Sequence, residues 1–392
     1  MADTTVAADG VEAVLDDVVG WRRHLHRNPE LSFQERETAA FVAETLAGFG
    51  TALEIERPAE NSVVARLETG RPGPVVALRA DIDALPIDEQ SGVEFASERA
   101  GAMHACGHDA HTAMLLGAAR LLTEARDRLP GGQLRFVFQA AEELPPGGAR
   151  DLVAAGAVDG ADLVYGCHVW TGLETGRVAA MPGPFMAAAD FFTLAISGAG
   201  GHGGMPHQAT DTVAIAAQVV TNLQHLVARR IDPLAPAVVT VAAFHAGDAP
   251  NVIPGRAELA GTARSFTPHV RDRLPGLIED VVRGIASAHG AEYELEYQRG
   301  YDPVVNDERA TALVRAAIAP DATAELAPIM GGDDFSAYLA KAPGCYAFVG
   351  ARSEEAGAVH PHHHPCFRID ERALPVGVRL HVDVAVRALH EL

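Results

Sequence analysis

The stretch VVALRADIDALP, residues 75–86, begins as an apolar-rich run and ends in two aspartates, Asp81 and Asp83, ahead of Pro86. It reads as a buried strand that leaves the core at its carboxylates. HTAMLLGAARLLTEARDRL (111–129) follows with the spacing of an amphipathic helix, and Asp109 stands near its start. QLRFVFQAAEE (133–143) is a second strand that ends in Glu142 and Glu143, and DLVYGCHVW (162–170) is a third that carries His168. Strand, helix, strand in repetition predicts a layered α/β domain around a mostly parallel central sheet.

The pattern changes after MPGPFM (181–186). Strands are expected at 190–198, 237–247, 256–266 and 291–300, with helices at 211–229 and 269–290. The order β-α-β-β-α-β is that of a ferredoxin-like unit. From 301 onward α/β signals resume. The expected division is a domain built from 1–184 and 300–392, interrupted by an inserted domain over 185–299.

The 392 residues are 48% hydrophobic, enough for one large core or two ordinary ones. Thirty-one basic residues against 52 acidic ones leave a net charge of −21. Lys341 is the one lysine, and no basic run exists. This argues against nucleic acid or an anionic membrane as a partner. The acidic start MADTTVAADGVEAVLDD does not resemble a secretory signal, and no apolar run has the length of a bilayer span. Four cysteines (Cys106, Cys167, Cys345, Cys366) are too few for a disulfide scaffold, so a reducing cytoplasm is expected.

Functional groups of open parallel sheets gather at the carboxyl ends of the strands. Asp81, Asp83, Glu142, Glu143 and His168 are all expected there. MHACGHDAH (103–111) adds Cys106 and His108 in a loop before a helix. Thiolate, imidazole and carboxylate together suit a borderline cation such as zinc, manganese or cobalt. Each residue alone has a plain reading: a solvated glutamate pair, a turn-capping aspartate, a core histidine, a small buried cysteine. HPHHHP (360–365) alone reads as an exposed polar loop. The combination points to a metal site. In the glutamate pair, one carboxylate can bind metal while its neighbour moves a proton from water to a leaving amine. A nucleophilic Cys106 is the less favoured reading, because a metal would hold the thiolate.

Nearly end to end and in order, the chain resembles the aminoacylase-like zinc peptidase superfamily, in the branch of hippurate hydrolases, N-acyl-amino-acid amidohydrolases and auxin-conjugate hydrolases. The resemblance is carried by RRHLHRNPELSFQE (22–35), LRADIDALPI (78–87), MHACGHDAH, QAAEE (139–143), GCHVW (166–170), GGHGGMPH (200–207), NVIP (251–254), GTAR (261–264), GGDDF (331–335) and HHPCFRIDERALPVG (363–377). It implies two divalent ions held by Cys106, His108, Glu143, His168 and His363, with Cys106 between them. His363 is taken from the neighbours His362, His363 and His364 because the family ligand stands two residues before the proline. The resemblance further implies Glu142 as general base and acid, and Asp81 and Asp83 as residues that orient the ligands. The inserted domain would be a lid and dimerisation domain of a homodimer. His202 would polarise the scissile carbonyl of the partner's site, and Asn251 and Arg264 would bind the amide and carboxylate of a small N-acyl amino acid. The chain departs from the family pattern at Ala140, Thr171, Gly332 and Asp333. The expected activity is hydrolysis of N-acyl amino acids. The alternatives are a dipeptidase or carbamoyl-amino-acid hydrolase on the same scaffold, or a metal-binding module without catalysis.

Overall fold

The structure is a computed structural model and describes residues 10–392; the readings made on residues 1–9 lie outside the described residues. The chain order is α1 (Val11–Arg27), α2 (Arg36–Ala47), β1 (Leu53–Glu56), β2 (Val63–Glu68), β3 (Val75–Asp81), α3 (His108–Glu124), β4 (Gln133–Gln139), α4 (Ala149–Ala154), β5 (Leu163–Glu174), β6 (Val178–Ala179) and β7 (Gly183–Met186). Then come β8 (Ala188–Ser197), β9 (Gly201–His202), α5 (Thr212–Arg230), β10 (Ala237–His245), β11 (Val252–Ile253), β12 (Arg256–Ser265), α6 (Pro268–Ala288) and β13 (Glu292–Tyr301). The chain ends with β14 (Val304–Asn306), α7 (Glu308–Ala317), α8 (Ser336–Leu339), β15 (Gly344–Arg352) and α9 (Ala373–Glu391). Two compact units result. One holds the chain up to Phe185 together with Val304–Ala327 and Asp334–Leu392; the other holds Met186–Pro303 and Pro328–Asp333.

The first unit is built on a seven-stranded sheet in the order β1-β2-β4-β3-β5-β15-β6. Its four central strands, β4, β3, β5 and β15, are parallel, and antiparallel strands flank them. This is the α/β class with a mostly parallel centre. The central strands are buried almost throughout, as strands covered on both faces must be. Helix α3 is buried nearly all round, between α1, α9 and the sheet. That explains an apolar pattern too broad for a surface helix. At its crossing with α9, Gly377 lets the helices approach; a Cβ there would lie 1.9 Å from Met114 Sδ.

Three sequence expectations shift. The helix begins at His108, not His111, because Gly107 turns the chain at φ 92° just before it. A Cβ at Gly107 would stand 2.4 Å from Val169 Cγ2, so the turn needs glycine. Strand β4 stops at Gln139, which puts Glu142 and Glu143 in the following loop. His168 lies inside β5 rather than at its end, because β15 keeps pairing alongside it, Phe348 opposite His168 and Gly350 opposite Trp170.

The second unit is a four-stranded antiparallel sheet in the order β10-β12-β8-β13, the ferredoxin-like arrangement. Phe192, Leu194 and Ile196 of β8 alternate onto the face that meets Ile215, Val219 and Leu223 of α5 and Leu274, Ile278 and Val282 of α6. Both helices start at side-chain caps: Asp211 accepts from Ala214 N at 3.0 Å and Thr267 from Val270 N at 3.3 Å. Among the described residues no helix is long and apolar enough to cross a membrane.

Candidate metal centre

In the first unit, the loops after β3 and β4, the loop before α3, strand β5 and the 360–366 segment converge on one cluster of donors. Cys106, His108 and His168 present ligand atoms within 4.8 Å of one another, and so do Cys106, Glu143 and His363. His108, Glu142 and Glu143 form a further such group. Cys106, His108 and Glu143 each belong to more than one triad, which describes a single continuous donor surface.

Neighbouring groups set the ring orientations. His168 Nδ1 donates to the Val169 carbonyl at 2.6 Å, which leaves Nε2 facing the Cys106 thiol at 3.4 Å. His108 Nδ1 meets Asp83 Oδ1 at 3.1 Å, so its Nε2 faces Glu143 and Asp81, each at 3.8 Å. His111 is consumed by structure: Nδ1 binds Asp81 at 2.6 Å and Nε2 accepts the Val169 N–H at 2.9 Å. Asp83 also accepts from Ser32 Oγ and from the Glu143 N–H at 3.0 Å, which fixes the loop that carries Glu143. Such contacts fix the directions in which the remaining ring nitrogens and carboxylate oxygens point.

Three successive histidines take three directions. His363 has φ 65°, and its Nε2 lies 3.3 Å from Glu143 Oε1. His362 turns inward, stacks on Trp170 and accepts the Thr171 N–H at 3.3 Å. A proline at 171 could not supply that N–H, so Thr171 occupies the His362 Nε2 lone pair. His364 points instead to His360, whose ring it stacks at 4.4 Å.

The cluster asks for positive charge. Burial opposes ionisation of Asp81, but His108, Arg79 and His111 outweigh it and hold the carboxyl well below its usual range. Burial likewise resists a charged His108, yet Asp81, Asp83 and Glu143 push it up to about 10. Burial, with Glu143, Glu142 and Asp81, keeps the Cys106 thiol protonated. Burial, with His111 and His362, keeps His168 neutral, the form that ligates. The buried atoms His108 Nε2 and Glu143 Oε1 have no hydrogen-bond partner. A sulfur, imidazole and carboxylate set with orphaned donors fits a borderline divalent cation, which would offset this negative field.

Beneath it lies a network that sequence reading missed. The buried Arg79 bonds Asp81 at 2.6 Å, Gln139 at 2.8 Å and Asp334 at 3.0 Å, and Gln139 also donates to Asp334. An arginine inside an apolar strand was its one visible signal. In the second unit, His202 and Asn251 are exposed neighbours on the β9–β11 ribbon, with the Gly203 N–H donating to the Asn251 carbonyl at 2.8 Å. Arg264 on β12 is half-buried, 5.8 Å from the Phe191 ring, and has no ion-pair partner among the described residues. Gly332 leaves room beside it, since a Cβ there would stand 3.3 Å from Arg264 Nη1.

Residues 77–387 match the sequence profile of peptidase family M20/M25/M40. The chain belongs to this family. It is 55% identical over 296 residues, 76% of this chain and 80% of the relative, to an N-acyl-L-amino acid amidohydrolase of Geobacillus stearothermophilus. It is 40% identical to thermostable carboxypeptidase 2 of Saccharolobus solfataricus, over 96% of each chain. Its fold matches a crystal structure described as a dinuclear metal-binding M20 peptidase of Bacillus subtilis with TM-score 0.83 and 36% identity, covering 97% of this chain and all of that one. This M20 member is a hydrolase acting on amide bonds.

Proposed function

We propose that the protein hydrolyses the amide bond of N-acyl amino acids to a carboxylic acid and a free amino acid. The observation that carries this reading is the Glu142–Glu143 pair. The turn at Ala141 (φ 53°) sets two adjacent carboxylates against a buried S, N and O donor set that demands a cation. In this reading Cys106, His108, Glu143, His168 and His363 would hold two divalent ions, zinc, manganese or cobalt. When bound, such ions act as Lewis acids on a carbonyl and ease the ionisation of water. Glu142 takes the proton of the attacking water and passes it to the departing amine. Asp81 and Asp83 hold the ligand rings in place.

The second unit would supply the remaining contacts: Arg264 for the substrate carboxylate, Asn251 for the amide and His202, across a homodimer, for the developing oxyanion. We assign the lid and dimerisation role to this unit and the catalytic role to the first. The four free cysteines fit a cytoplasmic setting. The carboxypeptidase relative favours a second reading, cleavage of the last residue of a short peptide, in which the leaving amine is again an amino acid.

Release of free amino acid from benzoylglycine, acetyl-amino acids, an indole-acetyl conjugate, dipeptides and carbamoyl-amino acids tests both, with divalent metal or chelator present. Metal-dependent release from acyl substrates is expected. Release from dipeptides alone would sustain the second reading. No release from any of them by metal-loaded protein would remove both.

A further inference from the structure

The HPHHHPC segment contains donors that the centre above does not use. His360, His364 and Cys366 present ligand atoms within 4.8 Å of one another. The two rings lie 4.4 Å apart and 9° from parallel. Each of the three residues is partly exposed, so an ion can reach them from solvent. Cys366 is the one cysteine that is not buried.

The loop that holds them is tied down on several sides. The His363 N–H donates to the Ala105 carbonyl at 2.8 Å, and the Gln90 N–H to the Pro365 carbonyl at 2.8 Å. The Phe367 N–H closes a turn onto the His364 carbonyl at 2.8 Å, and the Phe367 ring is buried beneath. The Cys366 N–H donates to His364 Nδ1 at 3.0 Å, which holds that ring beside the thiol. The left-handed turn at His363 separates the two sets of histidines, sending His363 toward Glu143 and leaving His364 beside His360.

We infer that His360, His364 and Cys366 form a second metal site, separate from the catalytic cluster, that takes one borderline or soft cation such as zinc. The donor set is two nitrogens and one sulfur, with no oxygen, which rules in zinc-like ions over calcium or magnesium. Two histidines with three residues between them, and a cysteine two positions further on, have the spacing of zinc modules. Donor atoms on one tetrahedral zinc stand roughly 3.4–3.6 Å apart, given bonds of about 2.1 and 2.3 Å, so side-chain swings of about 1 Å close the set. Three protein ligands leave the fourth position to solvent. Binding competes with the Cys366 N–H for the His364 lone pair and releases the thiol proton to water.

The test reads Cys366 itself rather than turnover. The full-length protein is treated with iodoacetamide, with and without zinc, and alkylation of each cysteine is followed by peptide mass spectrometry. Zinc is expected to slow alkylation of Cys366 about tenfold, because coordination removes the free thiolate. His360→Asn/His364→Asn should abolish that protection. Cys366→Ser should bind one zinc fewer than the wild type at saturation, by metal analysis after equilibrium dialysis. Unslowed alkylation in the wild type, protection that survives in the double variant, or equal zinc content in Cys366→Ser would each overturn the assignment. None of these readouts depends on the catalytic reading, so the two stand or fall separately.

Discussion

Glu142 and Glu143 are adjacent in sequence and have different surroundings. Glu143 is pinned through its backbone N–H to Asp83 and faces His363. Glu142→Gln keeps the shape and removes the proposed base. Turnover should fall by about 10²–10⁴-fold while metal content by elemental analysis stays unchanged. Loss of metal together with activity would move Glu142 among the ligands. Far away along the chain, the buried Glu35 accepts from the N–H groups of Phe33 at 2.9 Å and Ala141 at 2.8 Å, two residues held at positive φ. Glu35→Ala orphans the buried Ala141 N–H just ahead of the glutamate pair and should cost about 1–3 kcal/mol in urea unfolding. Glu35→Gln keeps an acceptor and should cost less. Equal losses would mean that the carboxylate charge matters more than the hydrogen bonds.

At the scale of elements, β3 and β4 bring their carboxylates to one edge because parallel strands end on the same side, while β5 runs on past His168 beside β15. Helix α9 shows what that packing costs. Asp383 sits among Val382, Val384 and Ala385, and burial pushes its carboxyl up to about 6 from 3.8, with Arg379 and Arg387 pulling it back. The folded state therefore binds this proton more tightly than the unfolded chain. Its contribution to stability is full below about pH 4 and is lost as pH rises through about 6. Asp383→Asn should match the wild type near pH 4 and exceed it by about 1–2 kcal/mol at pH 8, a gain discounted for the partial exposure of the carboxyl. Thermal unfolding at the two pH values checks this; no gain at pH 8 would mean that the arginines already compensate the charge.

For the whole molecule, the centre concentrates buried carboxylates that a cation relieves. Metal binding to the folded state alone should raise stability by about 2.7 kcal/mol at a hundredfold excess over Kd. A chelator should lower the unfolding midpoint, and added zinc or manganese should restore it. A midpoint indifferent to metal would show that His108 and Arg79 balance the field unaided.

The α/β alternation, the ferredoxin-like order and the cysteine–histidine loop were legible in the sequence because each rests on local periodicity or on residues a few positions apart. Hydrophobic spacing and loop chemistry report on neighbours along the chain, and Cys106 and His108 are such neighbours. Tertiary structure alone decided the rest. Arg79 and Gln139 stand 60 positions apart and meet because β3 and β4 pair side by side, and Asp334, 255 positions from Arg79, joins them from the segment before α8. The extension of β5 past His168 depends on β15, a partner far along the chain. The separate fates of His362, His363 and His364 depend on one backbone angle and on what surrounds each ring, the indole of Trp170, the carboxylate of Glu143 or the imidazole of His360. Three identical letters in a row carry no information about direction; the packed neighbours supply it.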